Sequence, residues 1–118
     1  MTRFSVVIPT YQRRQTVVRS VTALAGQTCS DFEVVVAVDG SSDGTADALR
    51  GLETSFPLRV LEQPNRGRAA AVNAGAAAAG GELILFLDDD MRADPRLLEE
   101  HERSHREGAD VVMGDLPL

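Results

Sequence analysis

Three consecutive carboxylates, Asp88-Asp89-Asp90, close the apolar run Leu83-Ile84-Leu85-Phe86-Leu87. Adjacent like charges repel, and burying them unpaired is very costly. They belong at a solvent-open strand end or around a cation. Donors that are all oxygen suit Mg2+ or Mn2+ carrying a phosphate-bearing ligand. A solvated acidic turn would satisfy the same charges with no ligand. If the strand continues through them, Asp88 and Asp90 share a face. Two more polar clusters follow apolar runs: Pro9-Thr10-Tyr11 after Phe4-Ser5-Val6-Val7-Ile8, and Asp39-Gly40-Ser41 after Glu33-Val34-Val35-Val36-Ala37-Val38. Arginines stand in the connections at Arg13, Arg14, Arg66 and Arg68. No G-x-G-x-x-G follows the first run and no G-K-[ST] occurs, which argues against nicotinamide-binding and Walker-type phosphate loops.

These clusters need elements to bring them together. Phe4–Ile8 is β-branched and strand-like, with Pro9 ending it. Val17, Val18, Val21, Leu24 and Ala25 recur at helical spacing, which predicts a helix over about 15–25 that Gly26 stops. Glu33–Val38 is nearly apolar throughout, as expected of a strand covered on both faces. Asp39 to Thr45 is rich in capping residues. Ala46, Leu49 and Leu52 mark a short helix, and Leu58–Leu61 a third strand.

Arg68 to Ala79 is an alanine-rich helix whose small side chains allow close approach to a sheet. Gly80-Gly81 favours a strand over 83–87. Asp94-Pro95 supplies an N-cap and first-turn proline for a helix ending near Gly108, and Ala109–Gly114 reads as one more strand. The alternation predicts an α/β fold: a doubly wound, mostly parallel sheet with helices on both faces. In such a sheet, ligands bind at the carboxyl ends of the strands.

The length of 118 residues fits one domain spanning the whole sequence, and 43% apolar residues can supply its core. A formal net charge of −6 argues against a nucleic-acid backbone as partner. Local arginines and a metal can still hold a phosphate. Cys29 is the one cysteine, so no internal disulfide can form, and a reducing, cytoplasmic setting is expected. No stretch reads as a secretory leader or a membrane span.

Taken in order, Ser5-Val-Val-Ile-Pro-Thr-Tyr11 with Arg13, Gln27-Thr28, Asp39-Gly-Ser-Ser-Asp-Gly-Thr45, Asn65-x-Gly67, Asn73-Ala-Gly75, Gly81-Glu82 and Phe86-Leu-Asp-Asp-Asp90 resemble the family-two glycosyltransferases. Each piece is weak and the ordered set is specific. The resemblance implies a Rossmann-like GT-A fold and inverting transfer from a nucleotide-diphosphate sugar, with a UDP-sugar favoured. It implies that Pro9, Thr10 and Tyr11 line the nucleotide, with Tyr11 near the base. Asp39 would accept a hydrogen bond from the base. Arg66 or Arg68 would reach the base or diphosphate. Asp88 and Asp89 would meet ribose and sugar, and Asp90, with Asp88, would hold Mn2+ or Mg2+.

The family's general base lies beyond its metal motif, and neither Asp110 nor Asp115 matches it. The expectation is a donor-binding half whose acceptor half is absent or borrowed, with self-association through an open sheet edge as one outcome.

Three other readings compete. A non-catalytic nucleotide-sugar-binding module would use the same pocket. A D-x-D phosphohydrolase, as in haloacid-dehalogenase-like enzymes, would use Asp88 as nucleophile and Asp90 as acid/base. It would also need a lysine, and the sequence has none. His101-Glu102-Arg103-Ser104-His105 fits the H-E-x-x-H zinc pattern. Its charged flanks and the apolar stripe of Leu97 and Leu98 favour a half-buried structural His101.

Overall fold

The computed structural model describes residues 3–91 and 93–106. Four strands form one parallel sheet: β1 (Phe4–Thr10), β2 (Phe32–Asp39), β3 (Leu58–Gln63) and β4 (Leu83–Phe86), in the order β3-β2-β1-β4. The helices are α1 (Arg14–Ala23), continued by a 3-10 turn over Leu24–Gly26, α2 (Thr45–Arg50), α3 (Arg68–Ala78) and α4 (Leu97–Arg106). The chain steps outward from β1 to β3 and then crosses back to lay β4 on the other side of β1. That reversal opens a crevice at the carboxyl ends of β1 and β4, where open α/β sheets bind ligands.

Side-chain alternation divides the core. Even-numbered residues of the two central strands, such as Val6, Ile8, Val34 and Val36, join one buried cluster with Val17, Val21 and Leu24, with Leu49 of α2 and with Leu97 and Leu98 of α4. The opposite face carries Val7 and Val35, both fully buried, beneath α3. There the helix presents Ala71 and Gly75, its buried positions. At Gly75 a Cβ would stand 2.4 Å from Val7 Cγ1, so the small residues of α3 set how closely it lies on the sheet. Cover is complete over β1 and β2 but not over β4. Ile84 and Phe86 share the α3 side with Ser5 and Val7 and remain 40% and 44% exposed.

Two sequence expectations shift here. Pro9 does not end β1, which pairs with β2 as far as Thr10 opposite Val38. It ends the pairing with β4. Leu83 N–H donates to Arg3 O and Leu87 N–H to Val7 O, so the next bond on that side would need an N–H from residue 9. Proline has none. The strand expected to run to the aspartates therefore closes at Phe86, and the chain turns away at Asp88 to Asp90. The predicted strand 109–114 and the helix stop at Gly108 lie outside the described residues.

Glu33, near the start of β2, is a buried charged residue in a strand that is apolar from there to Asp39. Its carboxylate accepts hydrogen bonds from Ser5 Oγ at 2.6 Å, Gly80 N–H at 2.6 Å and the Arg59 guanidinium at 3.0 Å. This knot ties the end of α3 to the start of β1 and aims the chain into β4. No helix of the described residues is long and apolar enough to cross a membrane.

Candidate functional site

An open cleft of about 610 Å³ lies at the carboxyl ends of β1, β2 and β4. Its lining is Pro9, Thr10, Tyr11, Arg13, Asp39, Arg68, Ala71 and Asp88 to Asp90. That volume is in the range of small-molecule sites. Residues from three strand ends and the start of α3 meet there because the crossover from β3 brings α3 back over β1.

Asp39, at the end of β2, is 4% exposed. Its Oδ1 accepts from Arg66 N–H at 2.8 Å and Gln63 Nε2 at 2.8 Å, and its Oδ2 from Gly67 N–H at 2.9 Å. Asn65 Nδ2 donates to the Asp39 carbonyl at 3.1 Å. These bonds, led by the Arg66 N–H, hold the carboxyl below its ordinary 3.8 despite its burial. Gly40 has φ +75°, and a Cβ there would sit 2.6 Å from Asn65 N. The Asp-Gly pair after β2 and the Asn-x-Gly before α3 are thus two sides of one contact. A carboxylate offers about four lone-pair sites, so Asp39 keeps room for one more donor from the cleft.

The acidic triplet divides by exposure. Asp89 is buried: its carboxylate accepts from Thr10 Oγ1 at 2.8 Å and Arg13 at 3.3 Å, and its carbonyl from Ser20 Oγ at 2.7 Å. It fastens the turn to β1 and α1. Asp88 and Asp90 face outward. Asp88 pairs with Arg68, and Asp90 stands 3.6 Å from Arg13. The alternation expected of a strand survives in the turn, so these two carboxylates remain the ones available to a ligand.

Among the described residues, no three metal-ligating side chains gather in one place. Two outward carboxylates still fit a Mg2+- or Mn2+-type site in which ligand phosphates and water complete the shell. His101 is buried, and burial holds its imidazole below the ordinary 6.5. The side chain of His105 lies outside the described residues.

All the sequence-derived candidates line the cleft except Arg66, which gives its N–H to Asp39. Arg13 is the addition. Its position beside Tyr11 was visible in the sequence, but its reach to Asp89 and Asp90 depends on folding. Ala71 completes the floor.

Acid should loosen this arrangement in two stages. His101, neutral when folded, costs stability as pH falls below about 6.5, where the unfolded chain takes up a proton first. Asp39, Asp43 and Glu33 all sit below their ordinary values of 3.8, 3.8 and 4.5. For Asp43 the chief cause is the Thr45 hydroxyl. For Glu33, burial opposes ionisation and the bonds from Ser5, Gly80 and Arg59 together outweigh it. Groups lowered in this way stabilise the fold above their unfolded pKa and lose that contribution as pH drops through the folded one. The expected result is a gentle fall in melting temperature from pH 7 to 5 and a steep one below about 4.5. A flat profile from pH 7 to 3 would contradict it.

A family model described as glycosyl transferase family 2 matches residues 5–118. The validoxylamine A glucosyltransferase of Streptomyces hygroscopicus subsp. jinggangensis is 40% identical over 116 residues, which is 93% of this chain and 28% of that protein. Among solved structures, S. aureus TarS 1–349 in complex with UDP-GlcNAc superposes with a TM-score of 0.82 at 29% identity, over 90% of this chain and 32% of that one. Mannosyltransferase PcManGT from Pyrobaculum calidifontis, in complex with GDP-Man and Mn2+, gives 0.69 at 31% identity, over 75% and 27%. The chain therefore spans about a third or less of the length of these relatives.

Proposed function

Because this chain belongs to glycosyl transferase family 2, we propose that its cleft binds a nucleotide-diphosphate sugar for inverting transfer of the sugar, with a UDP-sugar favoured. One observation carries the reading. A tyrosine, two arginines and two outward carboxylates converge on one cleft at the point where the strand order reverses. Each group has a task matched to its chemistry. Tyr11 offers a flat face to the base. Asp39 has an acceptor position left for a base N–H. Arg68 and Arg13 suit the diphosphate, and Asp88 and Asp90 suit a divalent cation. Mn2+ or Mg2+, when bound, would supply Lewis-acid stabilisation of charge on the departing nucleotide diphosphate. TarS and PcManGT, solved with UDP-GlcNAc and with GDP-Man and Mn2+, support this assignment.

Inverting transfer also needs a base for the acceptor hydroxyl. Among the described residues, every carboxylate lining the cleft already has a structural or donor-side task. We therefore expect the described residues to act as a donor-binding unit and to be a poor catalyst by themselves.

Calorimetry with UDP and GDP, each with and without Mn2+, tests the proposal. Binding should require the metal and favour UDP. Asp90→Ala should weaken metal-dependent binding by about a hundredfold or more, roughly 2.7 kcal/mol. Equal binding by the variant removes the metal assignment. No binding by the wild type removes the donor reading, and sugar transfer by the purified chain alone removes the claim that it is a poor catalyst.

A further inference from the structure

Gln12 has no task in the donor reading, yet its backbone is strained. Among the described residues it is the one non-glycine at positive φ, at 52°. L-residues other than Asn, Asp and His seldom adopt this conformation, and it persists only when the surroundings hold it. The holding bonds are explicit. Gln12 N–H donates to Ser41 Oγ at 2.8 Å, its Nε2 donates to Ser42 Oγ at 2.8 Å, and its Oε1 accepts from Ser42 N–H at 2.8 Å. The amide matches Ser42 because it offers one acceptor and one donor. The Ser42 N–H can only donate, which fixes the oxygen end of the amide. Next to this clip, Arg14 N–H donates to Asp43 Oδ2 at 3.1 Å, and the Arg14 guanidinium donates to the Asp43 carbonyl at 3.3 Å. The loop after β1 and the loop after β2 are thereby locked together.

Tyr11 directly precedes the clip. Tyr11 lines the cleft and is 50% exposed, so packing alone holds it weakly. Asp39, on the other wall, lies two residues before Ser41. We infer that Gln12 is a positioning residue: its clip to Ser41 and Ser42 fixes Tyr11 in the cleft as a preformed platform for the nucleotide base. The base as occupant rests on the donor reading. The positioning of the ring does not.

Tyr11 is the only tyrosine and the chain has no tryptophan, so its fluorescence reports on that one ring. Gln12→Gly is an informative variant, because glycine adopts positive φ freely while the side-chain amide and its two bonds to Ser42 are lost; variants at Ser41 and Ser42 separate the clip from glycine's added backbone freedom. In the free protein, the Tyr11 anisotropy should fall and its quenching by acrylamide should rise, with the melting temperature close to wild type. Affinity for UDP with Mn2+ should drop about tenfold, the size expected when a side chain and its loop must be ordered on binding.

The double variant Ser41→Ala, Ser42→Ala removes two of the same bonds from the other side and should reproduce both effects, which covers a Gln12→Gly chain that fails to fold. Unchanged anisotropy and quenching in folded variants overturn the positioning role. A lost anisotropy with undiminished nucleotide affinity overturns the platform. A wild type that binds no nucleotide overturns the donor reading and, with it, the base as occupant. The free-protein fluorescence then decides the clip by itself.

Discussion

Asp39→Ala is expected to lower the melting temperature by about 15 °C, given about 4–8 °C per kcal/mol for a domain of this size. The carboxylate holds the backbone N–H groups of Arg66 and Gly67 and the side chain of Gln63. Hydrogen bonds to a charged group contribute about 1.5–3 kcal/mol each and do not add fully, so a total near 3 kcal/mol is reasonable. Alanine also strands two backbone donors in a part-buried loop. That loop leads directly into Arg68, the first residue of α3 and a lining residue of the cleft. Nucleotide binding should therefore fall further than stability does, beyond detection by calorimetry.

Asp39→Asn gives the finer test. It keeps the shape but turns one oxygen into an NH2 group that faces Arg66 N–H or Gly67 N–H. Its melting temperature should lie between wild type and Asp39→Ala. If Asp39→Ala melts with the wild type, the loop is held by something other than this carboxylate.

Gly75→Leu should be at least as damaging to the fold. The first atom of any side chain at residue 75 meets Val7 Cγ1 at 2.4 Å, and Val7 is fully buried in the central strand. Neither partner can move away, because α3 lies across both β1 and β2. Overpacking of this kind costs about 1–3 kcal/mol, and a leucine in the position of a hydrogen belongs at or above the top of that range. Gly75→Ala isolates the Cβ alone. It gains about 1 kcal/mol of helix propensity over glycine, so its net loss should be smaller. Combining Gly75→Ala with Val7→Ala removes the opposing methyl groups. The double variant should be more stable than the sum of the two single losses predicts, a coupling that a double-mutant cycle measures directly. Strict additivity would mean that helix and strand do not touch at this point.

The sequence alone determined the alternation of strands and helices and the class of sheet. It also marked the polar residues that follow the first, second and fourth strands. Those features depend on neighbours within a few positions: a β-branched run, a helical stripe, a glycine or proline stop. The polar strand ends Pro9-Thr10-Tyr11, Asp39 and Asp88 to Asp90 were legible for the same reason, since each stands next to such a boundary; Arg68 was marked by the family resemblance.

Tertiary structure decided how those residues are used. Pro9 does not stop its strand, because only the β4 side needs the missing N–H. Asp89 became an internal fastener, while Asp88 and Asp90 stayed outside, because Thr10, Arg13 and Ser20 approach from segments 69 to 79 residues away in sequence. Arg66 gives its backbone N–H to Asp39, while its alternative Arg68 lines the cleft. The strain at Gln12 has no local signature, because the two serines that hold it belong to a different loop. Local spacing records which groups are available. Which of them meet, and which are taken up holding the others, follows from distances that only the packed sheet and its crossovers set.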